Sequence, residues 1–339
     1  MTDILFYTAI GITLLFAFIN GFHDGCNVIA TVISSRSMRP RRALFWAALA
    51  EGFGPLVFGT AVAGTIAGKV IDAGLLGNLP ASAIHELLIA AAGGAIAWNL
   101  VTWIVGLPSS SSHALVGGLV GAGVVALGPH GIQAEQLLIF VVLPLFVSPL
   151  VGLLAGAVVF ALIRALFAGA HSSIGHLFVA LQKPGMLALA ASHGSNDAQK
   201  SMGLIALALA AQHGAFDELQ YPLWVTAACA ASIAFGLSVG GWSIIRTVGY
   251  GIFRMQPVHS FASQAAAASV IVAASLTGGP VSTSQVVASS VLGVGASRRL
   301  SGVHWLVVKN IALAWLLTIP VAALVGAGSF ALLHWLVQG

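Results

Sequence analysis

The run Gly194-Ser195-Asn196-Asp197-Ala198-Gln199-Lys200 places a carboxylate, an ammonium and two amides inside a segment, Met186 to Ala211, that is otherwise apolar and long enough to cross a bilayer. Polar groups in hydrocarbon are costly, so they persist there where they are partnered or used. A second such group stands near the start of the chain, Gly21-Phe22-His23-Asp24-Gly25-Cys26-Asn27. Both share Gly-x-x-Asp, with Asp24 and Asp197 lying 173 positions apart (197 − 24). Asp24 and Asn27 are three apart, as are Asp197 and Lys200, so each pair shares a face of a helix. A carboxylate with amide and carbonyl oxygens, Asn196 among them, offers hard ligands to a small cation, or accepts a proton when buried. The other reading is a paired structural group that holds a helix break. His23 either titrates alongside Asp24 or fills that break with a hydrogen bond. Lys200 can neutralise Asp197 and compete with a cation, which makes the second motif the poorer cation site. Glu51, in the middle of Ala47-Ala48-Leu49-Ala50-Glu51-Gly52-Phe53-Gly54, is a third acid in an apolar segment. It reads as a proton carrier, or as the partner of Lys200 or of a backbone group.

Two further motifs suit an anion. Pro108-Ser109-Ser110-Ser111-Ser112-His113 matches Pro280-Val281-Ser282-Thr283-Ser284-Gln285 at an offset of 172 (280 − 108). In each, proline ends the incoming helix and serine or threonine caps the outgoing one. A helix N-terminus presents free N–H groups and about half a positive charge. The hydroxyls of Ser110, Ser111, Ser112, Ser282, Thr283 and Ser284 add donors, and accept from a protonated oxyanion. Irregular backbone at membrane depth is tolerated where it lines a cavity. The alternatives are ordinary caps at the membrane surface, or a nucleophile and base at Ser112 and His113. The second lacks an orienting third group and a Gly-x-Ser-x-Gly elbow, so no enzyme is expected.

The elements that must position these residues are transmembrane. Hydrophobic residues make up 58% of the chain and charged residues 6%, against about 25% in a soluble domain. Mean hydropathy is +1.00. Forty glycines suit close helix packing. The thirteen basic residues are scattered rather than patched, which excludes a nucleic-acid surface. Cys26 and Cys229 lie in apolar runs and read as buried thiols. Nothing basic precedes Arg36, so the first apolar run reads as a permanent span rather than a signal peptide.

Ten apolar segments approach spanning length. They cover 4–33, 43–66, 84–106, 110–127 and 136–163 in the first half, and 185–212, 222–245, 258–277, 284–297 and 303–335 in the second. If all cross, eleven basic residues fall on one side and Lys69 alone on the other, placing both termini outside the cytoplasm. Five crossings per half invert the second half relative to the first. The expected fold is therefore an all-α membrane protein of two inverted-topology repeats with re-entrant or broken helices. The repeats cover 1–170 and 185–339, joined by a cytoplasmic connector at 171–184. Two opposed helix ends could then face one oxyanion.

Taken together, the two aspartate motifs and the two Pro-Ser turns resemble the inorganic phosphate transporter (Pit) family over essentially the whole chain. The resemblance implies a secondary symporter of the cell inner membrane that imports inorganic phosphate with protons or sodium. In it the Pro-Ser/Thr turns line the phosphate site and the aspartate motifs the coupling-ion sites, with Asp24, Asn27 and Asp197 as sodium ligands. His23 and Lys200 depart from the fuller Gly-Ala-Asn-Asp-x-x-Asn pattern. Both departures resemble the bacterial low-affinity branch, associated with proton coupling and with metal–phosphate complexes. Glu51 stands where many members carry glutamate, and Gln285 where the second turn often carries histidine. Expected partners are phosphate, a coupling cation, the bilayer and a second copy of the chain as a homodimer. No cofactor is expected beyond the coupling ion and a divalent metal carried with phosphate. Sulfate permeases share the family, so a sulfate or other oxyanion carrier is the alternative.

Overall fold

Every secondary-structure element is helical among the residues that the computed structural model describes, 2–57, 59–71, 73–171, 173–216, 219–279 and 281–338. The chain runs through α1 (Thr2–His23), α2 (Gly25–Ser34), α3 (Pro40–Val57), α4 (Ala61–Lys69), α5 (Ala73–Leu76), α6 (Ala81–Val105) and α7 (Ser111–Leu127). It continues through α8 (Ala134–Leu137), α9 (Leu143–Leu166), α10 (Ile174–His213), α11 (Leu223–Val239), α12 (Trp242–Arg246), α13 (Pro257–Leu276), α14 (Thr283–Arg298) and α15 (Trp305–Gln338).

Among the described residues, six helical stretches are long and apolar enough to cross a membrane. A seventh is counted if α11 and the stretch Trp242–Gly251, bent by 64°, form one span. The lower count than the ten apolar segments has local causes. The segment 43–66 is divided between α3 and α4, and α3 starts at Pro40-Arg41-Arg42 and carries Glu51. The segments 110–127 and 284–297 fall on α7 and α14, of 17 and 16 residues. At 1.5 Å per residue each reaches about 25 Å, short of a hydrocarbon core about 30 Å thick. Residues 174–184, read from sequence as part of a connector, are the opening turns of the 40-residue α10.

The surface carries apolar side chains over much of its area, with Leu166, Leu324 and Trp335 all more than 70% exposed. Four charged side chains lie inside instead, with Asp24, Glu51, Asp197 and Lys200 at 1% exposure or less. Lipid in place of water as the surrounding solvent explains both observations.

Each short serine-capped helix is held by two longer neighbours. α7 packs between α6 and α15, and α14 between α9 and α13. Backbones meet where α3 crosses α10. A Cβ on Gly194 would overlap the Glu51 carbonyl and lie 2.7 Å from its Cγ, while one on Gly54 would lie 2.8 Å from Ser195 N. Glycine at both positions lets the helices touch and brings Glu51 level with His193.

Candidate functional site

The first turn begins where Gly106, at φ 76°, ends α6. Leu107 N still donates to Thr102 O (2.9 Å), and Ser110 then caps α7 by accepting from His113 N (3.2 Å). The second turn repeats this construction. Gly278 adopts φ 71°, Gly279 N donates to Ala274 O (2.8 Å), and Ser282 caps α14 by accepting from Gln285 N (3.4 Å). Pro280 lies outside the described residues. The two turns touch. Ser284 Oγ donates to Ser109 O (2.7 Å), and Ser112 Oγ donates to Val281 O (3.4 Å). The N-terminal ends of α7 and α14, expected from sequence to meet one ligand, thus lie against each other in the protein interior.

Both aspartates reach this junction. Asp24 is the single residue between α1 and α2, and its Oδ2 accepts from Ser111 N (3.3 Å), at the start of α7. Its Oδ1 lies 2.7 Å from His23 Nδ1. The other ring nitrogen of His23 is 3.1 Å from Thr102 Oγ1, which lies 2.8 Å from Ser109 Oγ. Asp197 is placed similarly, although α10 runs through it unbroken. Its Oδ2 accepts from the Thr283 hydroxyl at 3.0 Å. Its Oδ1 accepts from the Lys200 ammonium, which also donates to Ser112 Oγ and to Val281 O. Lys200 therefore pairs with Asp197 and pins both turns.

Glu51 takes a partner that sequence alone does not show. It is bonded neither to Lys200 nor to backbone but to His193, whose Nδ1 is 2.8 Å from Glu51 Oε1. His193 Nε2 lies 3.4 Å from Asp197 Oδ2. Asn20, its amide nitrogen turned toward the acids, donates to Asp24 Oδ2 (3.3 Å) and Asp197 Oδ2 (3.2 Å). An unbroken series of polar contacts thus runs from Glu51 through His193, Asp197, Asn20 and Asp24 to His23. Asn99 supports it from α6 by donating to Ser111 Oγ at 2.9 Å.

The remaining candidates lie alongside. Asn196 donates to Ser275 Oγ (3.0 Å) and Gly279 O (3.3 Å), which anchors the second turn. Asn27 is fully buried, yet neither amide atom has a hydrogen-bond partner among the described residues. A buried amide left open on both atoms implies a polar ligand or water. Among the described residues no three His, Cys, Asp or Glu side chains are grouped to hold a metal ion. A cation bound here would draw on amide, hydroxyl and carbonyl oxygens beside a carboxylate, the set that suits a hard ion.

Asn20, Asn99, Thr102 and His193 are site residues that sequence reasoning missed. The offset of 173 that relates Asp24 to Asp197 also relates Asn20 to His193. Both stand four residues before their aspartate, one helical turn away, and that periodicity was the signal for them.

Two serine-capped helix ends in contact and carboxylates buried at one point in a multi-pass membrane protein are the construction of a solute carrier. The profile of the phosphate transporter family matches residues 20–326, and the chain belongs to that family, whose members are transporters and not enzymes. The chain is 40% identical to a probable low-affinity inorganic phosphate transporter of Rhizobium meliloti, over 94% of this chain and 93% of that one. It is 37% identical to a Bacillus subtilis protein of the same description, over 95% of each. Its fold superposes with a TM-score of 0.89 on a solved structure described as the sodium-dependent phosphate transporter. The match covers 98% of this chain and 99% of that one at 24% identity.

Proposed function

We propose that this protein is a cation-coupled symporter that imports inorganic phosphate, free or as a metal complex, across the cell inner membrane. The names of the bacterial relatives support phosphate as cargo, and the sodium dependence of the solved neighbour supports a cation gradient as the driving force. In this reading the two halves are inverted repeats of five membrane segments each. The short helices α7 and α14 enter from opposite sides and do not cross alone, and both termini lie outside the cytoplasm.

One observation carries the mechanism: each carboxylate holds a donor that an oxyanion would use. Asp24 accepts from the first backbone N–H of α7, and Asp197 accepts from the Thr283 hydroxyl at the start of α14. Phosphate and the two carboxylates therefore compete for the same helix ends. A proton or sodium ion that neutralises a carboxylate releases its donor to the phosphate and lowers the repulsion between the anions. Cation and phosphate then load together, with a coupling of about 1–3 kcal/mol. Ser110, Ser111, Ser112, Ser282, Thr283 and Ser284 bind phosphate. Asp24 with Asn27 takes the coupling cation, assisted by His23. Lys200 occupies Asp197 as a fixed counter-charge, so the second acid handles protons through His193 and Glu51 more readily than it admits sodium. Rocking of the halves exposes the junction to each side in turn.

The test is uptake of labelled phosphate into proteoliposomes, with proton and sodium gradients imposed separately. Accumulation against a phosphate gradient under either one supports symport. Uptake indifferent to both, or suppressed as strongly by sulfate as by unlabelled phosphate, defeats the assignment.

A further inference from the structure

Between α2 and α3 the chain turns sharply. Ser37 N donates to Val32 O (3.1 Å), Arg36 N donates to Ile33 O (3.0 Å), and the Ser35 and Ser37 hydroxyls meet at 3.0 Å. This bonded turn holds Arg36 at φ 58°, a left-handed conformation that no other non-glycine residue adopts among those described. Arg36, Arg39 and Arg42 then line a cavity of about 650 Å³ together with Lys183 of α10, Trp46 and Tyr250. Lys183 Nζ stands 4.2 Å from the centre of the Trp46 ring. Four cations, the last 141 positions beyond the third (183 − 42), thus share one concavity. None of them forms an ion pair among the described residues. Arginines that serve only to orient a chain in the membrane need neither a common cavity nor a left-handed backbone. Like charges focused in a cleft attract a counter-ion.

A buried polar cluster adjoins Lys183 along α10. Gln264 Nε2 donates to Thr31 Oγ1 (3.1 Å) and Gln182 Oε1 (3.2 Å), and the Ser260 hydroxyl donates to Gln182 Oε1 (2.6 Å). Thr31 stands one helical turn beyond Asn27 on α2, and Gln182 adjoins Lys183 on α10. The two helices that bear Asn27 and Asp197 therefore also line the basic cavity, through Ile33 of α2 and Lys183 of α10.

We propose that this cavity is a second anion site, built to hold a phosphate group and separate from the junction of the serine turns. Guanidinium forks match the paired oxygens of a phosphate, and the lysine adds a point charge. The group comes either from inorganic phosphate passing between junction and solution or from the headgroup of an anionic phospholipid at the membrane edge. The inference stands on the cavity and not on the transport reading.

The test uses the full-length chain in phosphatidylcholine nanodiscs, with Ser282→Ala and Thr283→Ala present throughout to weaken the junction. It is titrated with inorganic phosphate and, separately, with short-chain phosphatidic acid. Replacing Arg36, Arg39, Arg42 and Lys183 together by glutamine is expected to weaken binding of at least one probe by about tenfold or more. A loss confined to phosphate assigns the cargo, a loss confined to phosphatidic acid assigns the lipid, and a loss of both assigns a site open to either. Unchanged affinity for both probes overturns the inference. If the fourfold variant fails to insert, Lys183→Gln alone decides the matter, because the arginines still orient the chain. It is expected to weaken binding by about threefold, and no change overturns the inference.

Discussion

Lys200 offers the sharpest perturbation. Its ammonium is fully buried and donates to Asp197, Ser112 and Val281 O, so its loss acts on one charge and two turns together. At an effective dielectric of about 20, opposite charges roughly 3 Å apart attract by about 5 kcal/mol, and desolvation of the two ions offsets much of that. Breaking such a pair from one side costs about 3–5 kcal/mol, because the other charge stays buried and uncompensated. Lys200→Met should fall at the low end, near 3 kcal/mol, since Asp197 keeps Thr283 and Asn20 as donors. Asp197→Asn should cost a similar amount, because it strands the ammonium among neutral oxygens. The double variant buries no charge at this point and should lose less than the two single losses added, with a coupling energy of about 2–3 kcal/mol. Denaturant titration of the purified full-length chain in micelles, followed by helical circular dichroism, supplies the cycle. Additivity within about 0.5 kcal/mol would refute the view that the two groups act as one unit.

Other outcomes follow from the same geometry. Asp24→Asn should abolish gradient-driven phosphate uptake while the chain remains folded in the membrane; transport at the unmodified rate would remove Asp24 from the coupling site. Ser282→Ala with Thr283→Ala should raise the half-saturating phosphate concentration by about tenfold or more, as two hydroxyl donors to an anion are lost. An unchanged value in uptake assays would move the anion elsewhere. Gly194→Ala should destabilise by about 1–3 kcal/mol and separate Glu51 from His193, because the new Cβ overlaps the Glu51 carbonyl. A variant with undiminished thermal stability would count against the close crossing of α3 and α10.

How much of this was legible in the sequence differs by feature. The paired turns were visible because a helix break and its cap are written in a few adjacent residues, as in Pro108 to Ser112. Asp24, Asp197 and Lys200 stood out because apolar neighbours make a buried charge conspicuous. Contacts between segments were not visible. Glu51 meets His193 across 142 positions, and which faces of α3 and α10 touch is decided by Gly54 and Gly194, residues whose role appears only once both helices are placed. The extent of α10 was also hidden. The stretch 171–184 reads from the sequence as a connector between the halves, and from Ile174 on it is helical, the opening turns of α10.

The deviations between the halves show how the two acids are tied. At the 173-residue offset Asn20 corresponds to His193, His23 to Asn196, Asp24 to Asp197 and Asn27 to Lys200, so amide and imidazole exchange places around a common carboxylate. The residue four before each acid does not serve that acid alone. Asn20 touches Asp197 as well as Asp24, and His193 touches Glu51 as well as Asp197. Each half therefore lends a side chain to an acid of the other. A change of charge at Asp24 alters what Asn20 can donate to Asp197, and that carboxylate in turn shares Lys200 with both serine turns. Two independent acids would each need separate contacts to the anion. Here a single amide bridges them, so in the symport proposed above simultaneous loading would be a property of the junction itself. Asn20→Ala tests this directly: uptake should persist at reduced rate but respond less steeply to the driving cation, and an unaltered steepness would show that the two acids act apart.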